Sequence, residues 1–119
     1  MDNNDSILNT TKKLLGLPTE YQPFDEDIKL HINSVFATLA QMGVCARKDG
    51  KDICFEITGP NEKWTDFIQD DKLINNVRTY MYLKVKLLFD PPMSSALIES
   101  INRQINELEY RLYTQKGGY

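Results

Sequence analysis

No stretch of this 119-residue chain approaches the roughly 18 consecutive apolar residues that a membrane-crossing helix requires, so no membrane role is expected. The first ten residues, MDNNDSILNT, lack the basic start and apolar stretch of a secretory signal, and the chain is expected to be cytosolic when made. Histidine occurs once and cysteine twice. With no H-x-x-x-H, no C-x-x-C and no third cysteine, neither a zinc site nor any other metal or cofactor is expected. Positive charge is also short: 14 Lys+Arg stand against 17 Asp+Glu, for a net charge of −3. Binding through broad phosphate contact needs clustered cations, and neither half of the chain has a basic stripe. Lys84 and Lys86 come nearest, two apart on an expected helix, where they bracket a solvent face. TGPNEK (58–63) lacks the glycines and the Lys-Ser/Thr of a phosphate-cradling loop. There is no internal repeat and no low-complexity segment.

What is present is an ordinary globular composition, 41% hydrophobic and 26% charged, in a length that suits one domain (1–119) with one core. Residues 1–4 and 115–119 are expected to be flexible. In DSILNTTKKLLG, Ile7, Leu8, Thr11, Leu14 and Leu15 follow helical spacing, with Asp5 or Ser6 as cap and Gly16 as stop. In FDEDIKLHINSVFATLAQMG, Ile28, Ile32, Val35, Phe36, Leu39 and Met42 share one face. Asp25, Glu26 and Asp27 sit where the helix dipole favours negative charge, and Gly43 suits a C-terminal cap. The third long helix is DDKLINNVRTYMYLKVKLLFD. Its wide apolar face (Leu73, Ile74, Val77, Tyr80, Met81, Leu87, Leu88) marks it as central, touched on more than one side. The fourth runs from about 94 to 114 with a stripe of Leu97, Ile101, Ile105, Leu108 and Leu112, close to a bundle seam.

Two joints organise these helices. VCARKDGKDICFEI contains Asp49-Gly50, a type I′ turn signal, followed by strand formers. With that turn, Lys48 faces Lys51, Arg47 faces Asp52 and Cys45 faces Cys54. A loop with one expected helical turn around Trp64–Ile68 follows. At Asp90-Pro91-Pro92 the third helix must stop, because proline disfavours helix at the residue before it. A new helix can start at once, since proline is tolerated in a first turn. Asp90 or Ser94 would cap it. The corner folds the last helix back antiparallel to the third. The expected fold is mainly α: a small antiparallel bundle of about four helices with a β-hairpin inserted near residues 44–57.

Candidates for chemistry are few. Asp27 lies one turn before His31 and would orient it, and a Cys45–His31 pair is the one conceivable nucleophile–base couple. A helix-surface histidine beside a carboxylate is the simpler reading. The clusters Asp25–Asp27 and Asp70–Asp71 both open helices, where electrostatics alone accounts for them. Cys45 and Cys54 face each other in the hairpin register, but a reducing cytosol keeps thiols apart. Trp64, Phe67 and Phe55 suit the core better than an open platform. No catalytic site is expected, and the residues alone point to a small acidic helical domain that assembles or binds.

The order ILNTTKKLLGLP, FDEDIKLHINSVFATLAQMGV, then FEITGPNEKWTDF through YLKVKLLFDPP to ELEYRL resembles the head–tail connector (adaptor) proteins of tailed bacteriophages over roughly residues 7–114. The resemblance rests on the joint order of segments, since none is a catalytic motif. It implies a non-enzymatic, structural virion protein, made in the host cytoplasm and placed at the head–tail interface. Such subunits form a ring, expected to be dodecameric in keeping with portal symmetry, that docks on the portal protein after DNA packaging. The ring carries the tail or stopper protein and lets duplex DNA pass without specific binding. An acidic balance suits such a channel, because carboxylates repel phosphate. A ring needs head-to-tail contacts between unlike surfaces. The hairpin tip (Arg47, Lys48, Asp49, Gly50, Lys51) is the candidate for a contact between subunits. Tyr110, Arg111, Tyr113 and Tyr119 are candidates for contact with the portal or a neighbour, as Tyr and Arg are enriched at binding hot spots. The alternatives are a small helical DNA-binding or DNA-packaging regulator and a Cys45–His31 enzyme.

Overall fold

The computed structural model describes residues 5–68 and 71–115. Five helices and one hairpin follow in the order α1 (Ile7–Leu14), α2 (Asp25–Gln41), β1 (Ala46–Lys48), β2 (Lys51–Ile53), α3 (Trp64–Phe67), α4 (Asp71–Phe89) and α5 (Ser95–Gln115). Gln115, expected in a flexible end, closes α5; residues 1–4 and 116–119 lie outside the described residues.

Ser6, and not Asp5, caps α1: its hydroxyl accepts from the Asn9 amide at 3.2 Å. The same hydroxyl donates to the Pro60 carbonyl at 2.7 Å. Around it the Ile7 amide reaches Glu62 O and the Trp64 amide reaches Asp5 O, each at 3.0 Å. These long-range bonds stitch the start of α1 to the 60–65 loop. Gly16 takes a positive φ of 88° just past α1, the left-handed geometry that ends a helix cheaply with glycine. Gly43 does the same after α2, with φ 89°.

α4 is the central helix and touches α1, α2 and α5. Leu73, Ile74, Val77, Tyr80 and Met81 are buried as expected, and so are Leu83 and Val85. Positions 83 and 85 stand about 200° apart on a helix, so their joint burial requires cover on opposite sides. Leu88, by contrast, is 51% exposed, because it lies at the last turn before the corner.

The proline corner acts as expected. α4 ends at Phe89, and Ser94 starts α5, accepting the Leu97 amide on its hydroxyl at 3.4 Å and the Ile98 amide on its carbonyl at 3.1 Å. Asp90 is not the cap: it pairs with Lys86 at 3.2 Å. Tyr80 on α4 donates to Glu109 on α5 at 2.8 Å, while Asn76, four residues earlier, lines a groove with Tyr110, Arg111 and Thr114. Falling numbers on α4 therefore meet rising numbers on α5, and the two rods run antiparallel. Ile105, Leu108 and Leu112 of the stripe are buried and Ile101 packs partly against the core. Leu97 is 57% exposed, a correction to the expected seam, because the first turn of α5 overhangs the corner.

The hairpin has the expected register: Ala46 opposite Ile53, Arg47 opposite Asp52, Lys48 opposite Lys51. Asp49 (φ 54°) and Gly50 (φ 78°) both take positive φ, as a type I′ turn demands. Its return leg is fastened to α2 by two side chains. Lys29 donates to the Thr58 carbonyl at 3.0 Å. Asn33 accepts the Ile57 amide at 2.7 Å and donates to the Ile57 carbonyl at 3.0 Å, an amide group standing in for a neighbouring strand.

α3 is the single turn foreseen near Trp64. Asp66 accepts the Lys63 amide at 2.9 Å, half of a capping box, since a lysine side chain has no acceptor to complete it. Trp64 and Phe67 are buried, with Phe36 ring centroids at 6.4 Å and 4.7 Å, and Phe55 closes the cluster 5.4 Å from Phe67. The aromatic group is core, not platform. The Trp64 indole donates to Thr10 Oγ1 at 2.9 Å, and that hydroxyl donates on to Ser6 O at 2.6 Å.

Among the described residues one charged side chain lies inside. Lys12 is fully buried, donating to Thr19 O at 2.9 Å and pairing with Asp25 Oδ1 at 2.8 Å. The Asp25 contact is an ion pair by distance and lacks hydrogen-bond geometry at Oδ1. It ties α1 and the 16–24 connector to the start of α2.

Candidate interaction surfaces

The expected contact residues fall on two elements, the last turns of α5 and the hairpin tip. Tyr110 is 72% exposed and Tyr113 45%. Arg111 beside them pairs with Glu107 at 2.6 Å, an i, i+4 bridge on the helix flank. Asn76 of α4 joins Tyr110, Arg111 and Thr114 around an open groove between the two helices. Tyr119 lies outside the described residues. At the hairpin, Arg47 and Lys48 belong to β1, Asp49 and Gly50 form the exposed turn, and Lys51 opens β2, also exposed. The hairpin tip and the tyrosine groove are distinct surfaces.

A third surface was hidden in the sequence. Leu88, Met93 and Leu97 cluster along the corner between α4 and α5, and Met93 has no cover at all. Nearby, Phe24 stacks edge-on against Phe89 at 5.3 Å and touches Tyr21 at 5.8 Å. Tyr21 and Phe24 are themselves exposed. Leu88 and Leu97 had read as core positions because both continue a helical stripe. Only their place in the last and first turns around the corner betrays them.

The polar groups of the molecule do structural work. Tyr80 has its pKa raised, first by burial and then by its hydrogen bond to the Glu109 carboxylate and the charge there. Lys84 lies over the Tyr80 ring, 5.9 Å from its centroid, and Lys86 is taken by Asp90, so neither lysine extends a basic stripe. Glu62 accepts from the Thr58 amide (3.1 Å), the Thr58 hydroxyl (2.8 Å) and the Gly59 amide (3.3 Å). Partial burial acts to raise its pKa, but these bonds outweigh it and hold the carboxyl below its ordinary value of 4.5. A depressed folded pKa gives stability that is present above the ordinary value and lost as pH falls through the folded one. Glu62→Gln should therefore cost stability near neutrality, and the gap to the parent should narrow as the pH drops below about 4.5. Thermal melts of both proteins at near-neutral and acid pH measure it, and a gap that stays constant would exclude the mechanism.

No catalytic couple forms from the sequence candidates. His31 is half-buried on α2. The chain leaving α2 doubles back only as far as Leu39, whose carbonyl takes the Val44 amide at 2.8 Å. Eight helical residues separate His31 from Leu39, roughly 12 Å of axis, which keeps Cys45 away from the imidazole. Among the described residues no group of three or more His, Cys, Asp or Glu is placed to hold a metal ion. Among them, too, no helix is long and apolar enough to cross a membrane.

Exposed aromatic and aliphatic side chains stand at both ends of the α4–α5 hairpin, surfaces of the kind that meet other proteins. The family model described as phage connector protein matches residues 7–119, and the chain belongs to that family. No curated protein and no solved structure matches it. Membership carries a structural connector role in the phage particle, with portal or tail components as partners.

Proposed function

We propose that residues 1–119 act as one connector domain that assembles into a ring between the capsid portal and the tail or stopper, completing the head after DNA packaging. The observation that carries this reading is the uncovered apolar surface at both ends of the α4–α5 hairpin: Leu88, Met93 and Leu97 at the corner, Tyr110 and Tyr113 at the far end. Large exposed side chains on an otherwise well-packed domain mark contact surfaces, and two unlike surfaces suit the head-to-tail contacts of a ring. The tyrosine groove is assigned to the portal or a neighbour, and the hairpin tip to a neighbouring subunit. Twelve copies would match the portal, and duplex DNA would slide through a channel whose net negative charge repels it.

Light scattering of the purified protein, alone and mixed with its portal, followed by electron imaging, tests the reading. A stable twelvefold ring on the portal is expected. A protein that stays monomeric and unbound in both samples overturns it. Strong, salt-dependent binding of the isolated protein to DNA would instead favour the regulator.

A further inference from the structure

The two cysteines stand one step beyond the last paired residues of the hairpin. Ala46 pairs with Ile53, so the register, continued by one rung, sets Cys45 opposite Cys54. The kind of rung follows from the turn. Lys48 and Lys51 close a two-residue turn whose central residues both have positive φ, and such a closing pair exchanges both backbone hydrogen bonds. Pairs alternate along an antiparallel ladder, so 47–52 is non-hydrogen-bonded, 46–53 hydrogen-bonded and 45–54 non-hydrogen-bonded again. Were this rung formed, its Cα atoms would stand about 4.5 Å apart with side chains on the same face, within the range a disulfide spans. The thiols are not joined in this structure. The ladder parts at this rung because the Val44 amide turns away to bond Leu39 O. Their surroundings differ: Cys45 is 7% exposed while Cys54 is open to solvent.

We propose that Cys45 and Cys54 form a redox-responsive dithiol at the base of the hairpin, closed to a disulfide by low-molecular-weight disulfides and reopened by thiols. The inference is independent of ring assembly. The accessible Cys54 thiolate attacks a sulfur of the small disulfide, forming a mixed disulfide and releasing one small thiolate. The Cys45 thiolate then attacks Cys54 Sγ and releases the second. Two electrons pass from the protein dithiol to the small disulfide, and the two protein protons leave on the two small thiols. A virion component moves from a reducing cytoplasm to an oxidising exterior, so the bond would lengthen the hairpin by one rung after release from the host.

Glutathione disulfide is the probe. The full chain is incubated with it, quenched in acid, alkylated under denaturing conditions and weighed intact. The expected product is a monomer lighter than the reduced chain by two hydrogen atoms, carrying neither glutathione nor alkyl groups and restored by dithiothreitol. Cys45→Ala should instead retain one glutathione on Cys54. Persistent glutathione on the parent's Cys54, chains linked in pairs, or two alkylated thiols would each overturn the proposal. The parent protein decides the matter by itself should the buried substitution impair folding.

Discussion

Replacing Asp25 with Asn should lower the unfolding free energy by about 3 kcal/mol, whereas Lys12→Met should cost less than about 1 kcal/mol. The asymmetry follows from where the charges sit. The Lys12 side chain is 1% exposed and that of Asp25 24%. Asp25→Asn leaves an ammonium buried with one carbonyl, Thr19 O, as its remaining partner. Removing one member of a buried pair typically costs about 3–5 kcal/mol because the other charge stays desolvated, and the partial exposure of Asp25 argues for the lower end. Methionine at position 12 keeps the apolar stem and removes the charge. The orphaned carboxylate then turns to the water it already meets. For a domain of this size the Asn variant should melt roughly 10 °C below the Met variant. Chemical denaturation of both proteins, with matching m-values, checks the order. Equal losses would mean that the ion pair itself, and not the buried charge, dominates.

Trp64→Ala should be more damaging still. The indole is 1% exposed and packs against Phe36. Its N–H holds Thr10 Oγ1, one link in the set of bonds that joins α1 to the 60–65 loop. Truncating a buried Trp costs about 3–5 kcal/mol through lost burial and the cavity left behind. Against a total stability of about 5–15 kcal/mol, that is enough to leave a large unfolded fraction. Trp64→Phe keeps most of the apolar body and forfeits the hydrogen bond, for an expected loss of about 1–2 kcal/mol. Near-UV circular dichroism and denaturant midpoints separate the cases. A fully folded, near-parental Ala variant would show that α3 is an appendage to the core.

The elements legible in the sequence were those governed by local chemistry. Ser6, Gly16, Gly43, Asp49-Gly50 and Pro91-Pro92 each act within a few residues, and each does what its side chain dictates. The register of the hairpin followed from its turn alone. What escaped was set by distant neighbours. Nothing local marks Lys12 as interior; Thr19 and Asp25, folded over it, make it so. Leu14, Leu88 and Leu97 continue apolar stripes but are more than half exposed, because periodicity says which face a residue occupies and not where the covering element ends. The corner surface was missed for that reason. Tyr110 and Tyr113 are exposed, which their proposed contact role requires.

The Asn33–Ile57 clasp has a mechanical meaning. A hairpin anchored at its root and open at its tip is a cantilever. Here the root is bolted to α2 through two bonds from a single carboxamide. A sideways push on the Asp49-Gly50 tip would reach the middle of a 17-residue rod through residues 54–57, whose far end the clasp holds.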